Sequence, residues 1–239
     1  MDILLALAVV TVIVALLFDY TNGFHDAANI VATMIASRAM LPAHAVLLVA
    51  VFEFLGPLLG GTAVANTIGN FIDLNGIDPR LALSIILCGL LGAISWNLIT
   101  WWKGIPSSSS HALVGALAGA VVVAVGVGHV VWGFSELGHG RFTGVTKVLL
   151  ALLLSPLLGF WVAYVVHKLM SRLLAGAHPM INRDLRRAQL FTAAWLAFSH
   201  GANDGQKSMG ILTLVLLLGG FIPTFVVPFW VMLACSITI

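Results

Sequence analysis

The chain has 239 residues, of which 60% are hydrophobic and 8% charged, and its formal net charge is +2. Soluble domains carry about 25% charged residues, so this composition excludes a cytosolic globular domain, a disordered chain and a nucleic-acid binder. It leaves one polytopic membrane bundle, all-α, because helices satisfy their own hydrogen bonds in lipid and no segment alternates like a porin strand.

A spanning helix needs about 20 mostly apolar residues. The first candidate is Ile3–Phe18. It has no basic leader and no cleavage site after it, and so reads as a retained span, not a signal peptide. A polar stretch, Tyr20 to Asn29, follows. The second candidate, His44–Val64, carries Glu53 in its middle. A carboxyl there is protonated, paired or facing water, which leaves both a hydrogen-bonding role and a role in ion coupling open. The loop Ala65–Pro79 has Asp73 and Asp78 but no Lys or Arg, and reads as external. The third span is Leu81–Trp102.

Between that span and the next, Ala112–Phe134, lies Lys103-Gly-Ile-Pro106-Ser107-Ser108-Ser109-Ser110-His111. Pro106 and four hydroxyls disfavour a continued helix and favour a re-entrant turn that opens a new one. Hydroxyls and free N–H groups at a helix N-terminus make an anion site. An ordinary polar loop is the plainer alternative. Val148–Val166 is the fifth span. The segment after it holds Lys168, Arg172, Arg183, Arg186 and Arg187, five of the eleven basic residues, and reads as a cytoplasmic linker. Leu190–Leu233 holds two more spans, broken by a polar cluster at His200–Ser208. The domain reading is a first repeat at 1–166, a basic linker at 167–188, and the start of a second repeat at 189–239. Cys88 and Cys235 match no metal-ligand spacing and read as small buried hydrophobes.

The two polar clusters share a shape. Aligning Asp26 with Asp204, an offset of 178, brings Gly23 onto Gly201, His25 onto Asn203, Ala28 onto Gln206 and Asn29 onto Lys207. Each copy reads [Asn/His]-Gly-x-[His/Asn]-Asp. The first is entered from outside and the second from the cytoplasm, the mark of an inverted repeat with its site at the midplane. Gly is expected to let each helix unwind there and free backbone groups as ligands. Helix–helix hydrogen bonding is the plainer alternative for these residues.

Two enzyme-like readings fail. Adjacent Ser110 and His111 point about 100° apart on a helix, and no nucleophile elbow is present. The stretch Gly201 to Ser208 lacks the Gly-Lys pair and preceding strand of a nucleotide loop. No catalytic residue, resident metal or cofactor is expected.

These motifs carry a resemblance. Asn22-Gly-Phe-His-Asp26-Ala-Ala-Asn29 and His200-Gly-Ala-Asn-Asp204-Gly-Gln-Lys207 resemble the duplicated signature of the inorganic phosphate transporter family, in its bacterial low-affinity form. Pro106 to His111 resembles the family's hairpin motif. The resemblance implies a multi-pass plasma-membrane carrier of inverted-repeat design, with discontinuous helices and a re-entrant hairpin. It implies import of inorganic phosphate, free or as a metal–phosphate complex, by symport with H+ or Na+. Another oxyanion such as sulfate is the alternative cargo, and a homodimer is a candidate assembly. Ser107, Ser108, Ser109, Ser110, Asn22, Asn203, Gln206 and Lys207 would contact phosphate. Asp26, Asp204, Asn29 and Glu53 would serve the coupling cation. His25 and Lys207 depart from the commonest family pattern, and a Lys there could replace a cation electrostatically. The offset also places a second hairpin near position 285, beyond Ile239, so the chain is expected to be a fragment of such a carrier, a truncated gene product or a chain completed by a second polypeptide, and a transport-incompetent fragment is the alternative to an active carrier.

Overall fold

The computed structural model describes residues 3–239. Among them the backbone is almost wholly helical, with nine α-helices, one 3-10 turn at Val127–His129 and a single isolated bridge between Ile72 and Val130. In chain order the helices are α1 (Ile3–Ala36), α2 (Pro42–Leu59), α3 (Ala63–Gly69), α4 (Pro79–Lys103), α5 (Ser109–Val125), α6 (Phe134–Leu137), α7 (Gly144–Leu173), α8 (Ile181–Leu218) and α9 (Phe229–Thr238). By length and composition, α1, α2, α4 and α7 are apolar enough to cross a membrane. α8 is the longest at 38 residues but carries the second polar cluster and, of the predicted linker's basic residues, Arg183, Arg186 and Arg187.

The polar clusters do not break their helices. α1 runs unbroken past Phe18 through the whole first motif, and α8 runs unbroken through the second. The expected unwinding at Gly23 and Gly201 is therefore absent. A glycine costs a helix only about 1 kcal/mol, and the polar side chains find partners within their own motif, on the opposite motif or on α2 and α5, so the backbone has no reason to open. The second motif's glycines serve close approach instead. A Cβ on Gly201 would lie 2.3 Å from the Glu53 carbonyl oxygen, and one on Gly56 would lie 2.4 Å from the Ala202 nitrogen. Small residues that let backbones meet are how helices associate in lipid, where the hydrophobic effect between helices is weak.

The discontinuity falls elsewhere. The predicted span His44–Val64 is cut at Gly60-Gly61-Thr62, where Gly61 adopts φ +79°, so the chain leaves α2 and restarts as the short α3. Gln206 of α8 bridges this gap. Its Nε2 donates to the Gly60 carbonyl at 3.0 Å, and its Oε1 accepts from the Val64 amide at 2.9 Å.

The serine-rich turn opens a new helix as expected. α4 begins with Asp78 accepting from the amides of Arg80 and Leu81, at 3.0 and 3.2 Å. It stops at Gly104, which takes φ +63° and a left-handed cap that L side chains adopt poorly. Ser108 then caps α5 by accepting from the His111 amide. α5 ends at Val125, short of the predicted Phe134, because Gly126 turns to φ +100°. The predicted linker is helical at both ends: Lys168 and Arg172 lie on the last turns of α7, Arg183, Arg186 and Arg187 on the first turns of α8, and only 174–180 joins them.

The apolar core forms among α1, α3, α4, α5, α8 and α9, around Phe18, Phe71, Leu83, Leu113, Leu117 and Met209. α7 joins it only near its start, through Val145, its one buried residue, and Val148.

Candidate functional site

The two motifs meet at the contact between α1 and α8. In α1, Asn22, Asp26 and Asn29 recur at i, i+4 and i+7, and in α8 His200, Asp204 and Lys207 recur at the same spacing. That spacing puts each trio on one helix face. The pairing across the contact is reciprocal. Asn22 Nδ2 donates to Asp204 Oδ2 at 2.6 Å, and His200, which the offset of 178 matches to Asn22, sets its Nε2 3.8 Å from Asp26 Oδ2 and 3.6 Å from Asp204 Oδ2.

A cavity of about 330 Å³ opens beside this contact, lined by Asp26, Asn29, Ser108, Ser109, Ser110, His200, Asp204 and Lys207, with Ile30 and Leu196. Its polar groups are of two kinds. The start of α5 supplies Ser108, Ser109 and Ser110 with the amide N–H groups of a helix N-terminus, an arrangement that favours anions. The motif helices supply Asp26 and Asp204, which favour cations.

Lys207 joins the two sets. Its Nζ lies 2.9 Å from Asp204 Oδ1 and donates to Ser109 Oγ at 3.0 Å and Ser110 Oγ at 3.1 Å. An ammonium has three protons, and here each has a partner. The two serines accept from Lys207 and keep their own O–H protons to donate. Asp26 is held differently: its Oδ1 lies 2.9 Å from His25 Nδ1, while the nearby His200 Nε2 is buried and makes no hydrogen bond. The other ring nitrogen of His200 is bonded to Glu53 Oε1 at 2.7 Å, which fixes the ring. Asp26, His200 and Asp204 bring one ligand atom each within 4.8 Å of one another, a grouping able to hold a metal ion.

The predicted site residues separate into those that meet in the cavity and those that do not. Asp26, Asn29, Asp204, Lys207, Ser108, Ser109 and Ser110 line it. Asn22 is buried behind it, on Asp204. Glu53 acts through His200. Ser107 is turned away, accepting from Trp96 Nε1 at 2.8 Å beside His111 in a separate cleft. Asn203 falls at the edge of the α8 stripe and is exposed outside the cavity. Gln206 faces α2 and α3, with both amide atoms given to the backbone gap. Ser107, Asn203 and Gln206 thus lie outside this cavity: Asn203 and Gln206 because a continuous helix turns each residue about 100° from its neighbour, and Ser107 because it precedes the first turn of α5.

Two further residues matter. His200 sits within the motif but drew no role from the sequence; its match to Asn22 at the offset of 178 is the signal. Asp19 is fully buried two helical turns before Asp26, and its carboxylate accepts from Ser208 Oγ and Thr238 Oγ1, both at 2.7 Å. An acid at i−7 on the motif's own face is the signal there.

A second cavity of about 340 Å³ lies against Ala63, Thr67, Lys147 and Ala151. Lys207 and Ser110 line it too, so these two side chains form a wall common to both cavities. A larger cavity of about 660 Å³, between α1, α2 and α9, is mainly apolar and has no cluster of anion donors.

The sequence profile described as "Phosphate transporter family" matches residues 22–186 and 174–239. A relative from Bacillus subtilis (strain 168), a "Probable low-affinity inorganic phosphate transporter", is 41% identical over 99% of this chain, which spans 68% of that relative. A second from Escherichia coli (strain K12), "Low-affinity inorganic phosphate transporter PitB", is 38% identical over 90% of this chain and 46% of its own length. A solved structure, "The sodium-dependent phosphate transporter", superposes with a TM-score of 0.81 at 23% identity, over 98% of this chain and 74% of that one, and shares the fold.

Proposed function

The chain belongs to the phosphate transporter family, and from that premise we propose that it carries inorganic phosphate across the membrane together with a cation, H+ or Na+. It is a multi-pass membrane protein and not an enzyme. The observation that carries the reading is the cavity itself, where anion donors and carboxylates face each other across a few ångströms. Phosphate would sit at the start of α5, taking hydrogen bonds from the O–H groups of Ser108, Ser109 and Ser110 and from first-turn amides. Alone, it would meet the repulsion of Asp26 and Asp204. A cation held by Asp26 removes that repulsion, so each ion raises the affinity for the other. Such reciprocal linkage is what symport requires.

The reciprocal pairing of Asn22 with Asp204 and His200 with Asp26 supports a site built from two related halves. The Asp26, His200 and Asp204 cluster favours a second reading of the cargo, phosphate entering as a complex with a divalent ion that these three groups bind.

Uptake of radiolabelled phosphate into proteoliposomes tests this, with proton, sodium and magnesium gradients imposed in turn. Gradient-driven accumulation is expected, with weak competition by sulfate. Phosphate uptake no faster than in protein-free vesicles under every gradient would refute it.

A further inference from the structure

We propose that Lys207 is a tethered cation: its ammonium permanently fills the cation position of the second motif, and the mobile cation binds only on the first motif's side, around Asp26 and His200. The inference rests on the phosphate-carrying reading above and assigns the ion dependence to one residue.

The two motifs offer the same backbone position with different charges. Lys207 corresponds at the offset of 178 to Asn29, which is neutral and exposed. The difference shows in how the two acids are held. Asp204 has both oxygens engaged, Oδ1 by Lys207 at 2.9 Å and Oδ2 by Asn22 at 2.6 Å. Asp26 has His25 on Oδ1, and its Oδ2 faces a His200 nitrogen that makes no hydrogen bond. Asp204 thus has a partner on each oxygen and Asp26 on one, while the unpaired His200 Nε2 lies between them, 3.8 Å from Asp26 Oδ2 and 3.6 Å from Asp204 Oδ2.

The shell around Nζ resembles that of a hard ion. It consists of one carboxylate and two neutral hydroxyl oxygens, all within 3.1 Å, and Lys207 is only 3% exposed. Oxygen donors of this kind serve hard cations. A lysine is seldom so buried unless it is paired. With all three protons used, the ammonium has none left to give an incoming anion, so it acts as the charge beside the phosphate site and not as a hook within it. Anchored through its stem to α8, it also cannot be carried across with the cargo. One positive charge is thus supplied by the protein in every cycle, and one fewer is drawn from solution.

The test compares wild type with Lys207→Asn and Lys207→Met. Purified protein is unfolded thermally in detergent in choline, sodium, lithium or potassium chloride, and labelled phosphate uptake is measured in the same salts. Removing the partner of buried Asp204 should cut Lys207→Asn uptake in choline by about tenfold or more. Sodium or lithium should restore both uptake and thermal midpoint saturably, because the amide oxygen and Asp204 rebuild an ion shell. Lys207→Met, which fills the space without an oxygen, should stay low in every salt. Failure of any cation to stabilise or revive Lys207→Asn overturns the proposal. The wild-type protein gives an independent check: its uptake should depend on the coupling cation with a Hill coefficient of about 1, and a value near 2 overturns the proposal whatever the variants do. Wild type that carries no phosphate at all would instead sink the transport reading, while the thermal measurement still decides the role of Lys207.

Discussion

Replacing Gly201 with alanine adds one methyl group and alters no polar atom, yet it should disable the site. The new Cβ would sit 2.3 Å from the Glu53 carbonyl oxygen and 2.8 Å from its Cα. Both neighbours are backbone, so no rotamer change can relieve the clash. Ordinary contact begins near 3.4 Å, and α2 and α8 must separate by about 1 Å in a packed interior that does not compress. That shift carries Glu53 away from His200, whose Nδ1 is now 2.7 Å from it. A bond stretched beyond 3.5 Å is lost, and His200 is no longer fixed between Asp26 and Asp204. Overpacking of this kind costs roughly 1–3 kcal/mol. Gly119→Ala on α5 is the control, because a Cβ there meets nothing within 4 Å. Phosphate uptake and the thermal midpoint of purified protein should both fall for Gly201→Ala and hold for Gly119→Ala. Wild-type uptake and an unchanged midpoint for Gly201→Ala would refute the claim that this glycine sets the spacing on which the site depends.

Three other outcomes are expected. Asp26→Asn should lower uptake most at limiting cation, whereas Asp204→Asn leaves Lys207 buried without its carboxylate and should also destabilise the protein by about 3–5 kcal/mol; equal thermal midpoints for the two variants would contradict the asymmetry. Gln206→Leu should lower thermal stability by about 1–3 kcal/mol, since two hydrogen bonds across the α2–α3 gap disappear at roughly 0.5–1.5 kcal/mol each, and a midpoint within error of wild type would show that the gap needs no bridge. Ser110→Ala should raise the half-saturating phosphate concentration several-fold, while Ser107→Ala, outside the cavity, should leave it alone; the reverse order would relocate the anion site.

Much of this arrangement was legible in the sequence because polar residues in an apolar background stand out. The two motifs meet at one helix contact, the serine turn after Pro106 opens a helix, and Asp26, Asp204 and Ser108 to Ser110 line one cavity. What the sequence could not convey was where the backbone breaks. Gly23 and Gly201 looked like points of unwinding, but Gly201 permits close packing and helix α8 runs on, while the real gap at Gly60-Gly61-Thr62 was hidden in an apolar run. A glycine that opens a helix and one that admits a neighbour look alike until the neighbour is known. The same blindness explains Gln206, whose two partners lie at the end of α2 and in α3, and Asp19, whose partners lie on α8 and at the end of α9. Local pattern locates polar side chains, but tertiary contact decides which of them are free to meet a ligand.

The wall that Lys207 and Ser110 form between two cavities has a consequence for insulation. The partition between these cavities is formed by the Lys207 and Ser110 side chains, so the ammonium acts on both of them. A positive charge stationed in that partition repels stray cations from either direction. Because the same two side chains line both cavities, any variant that loosens the wall of one is expected to alter the other.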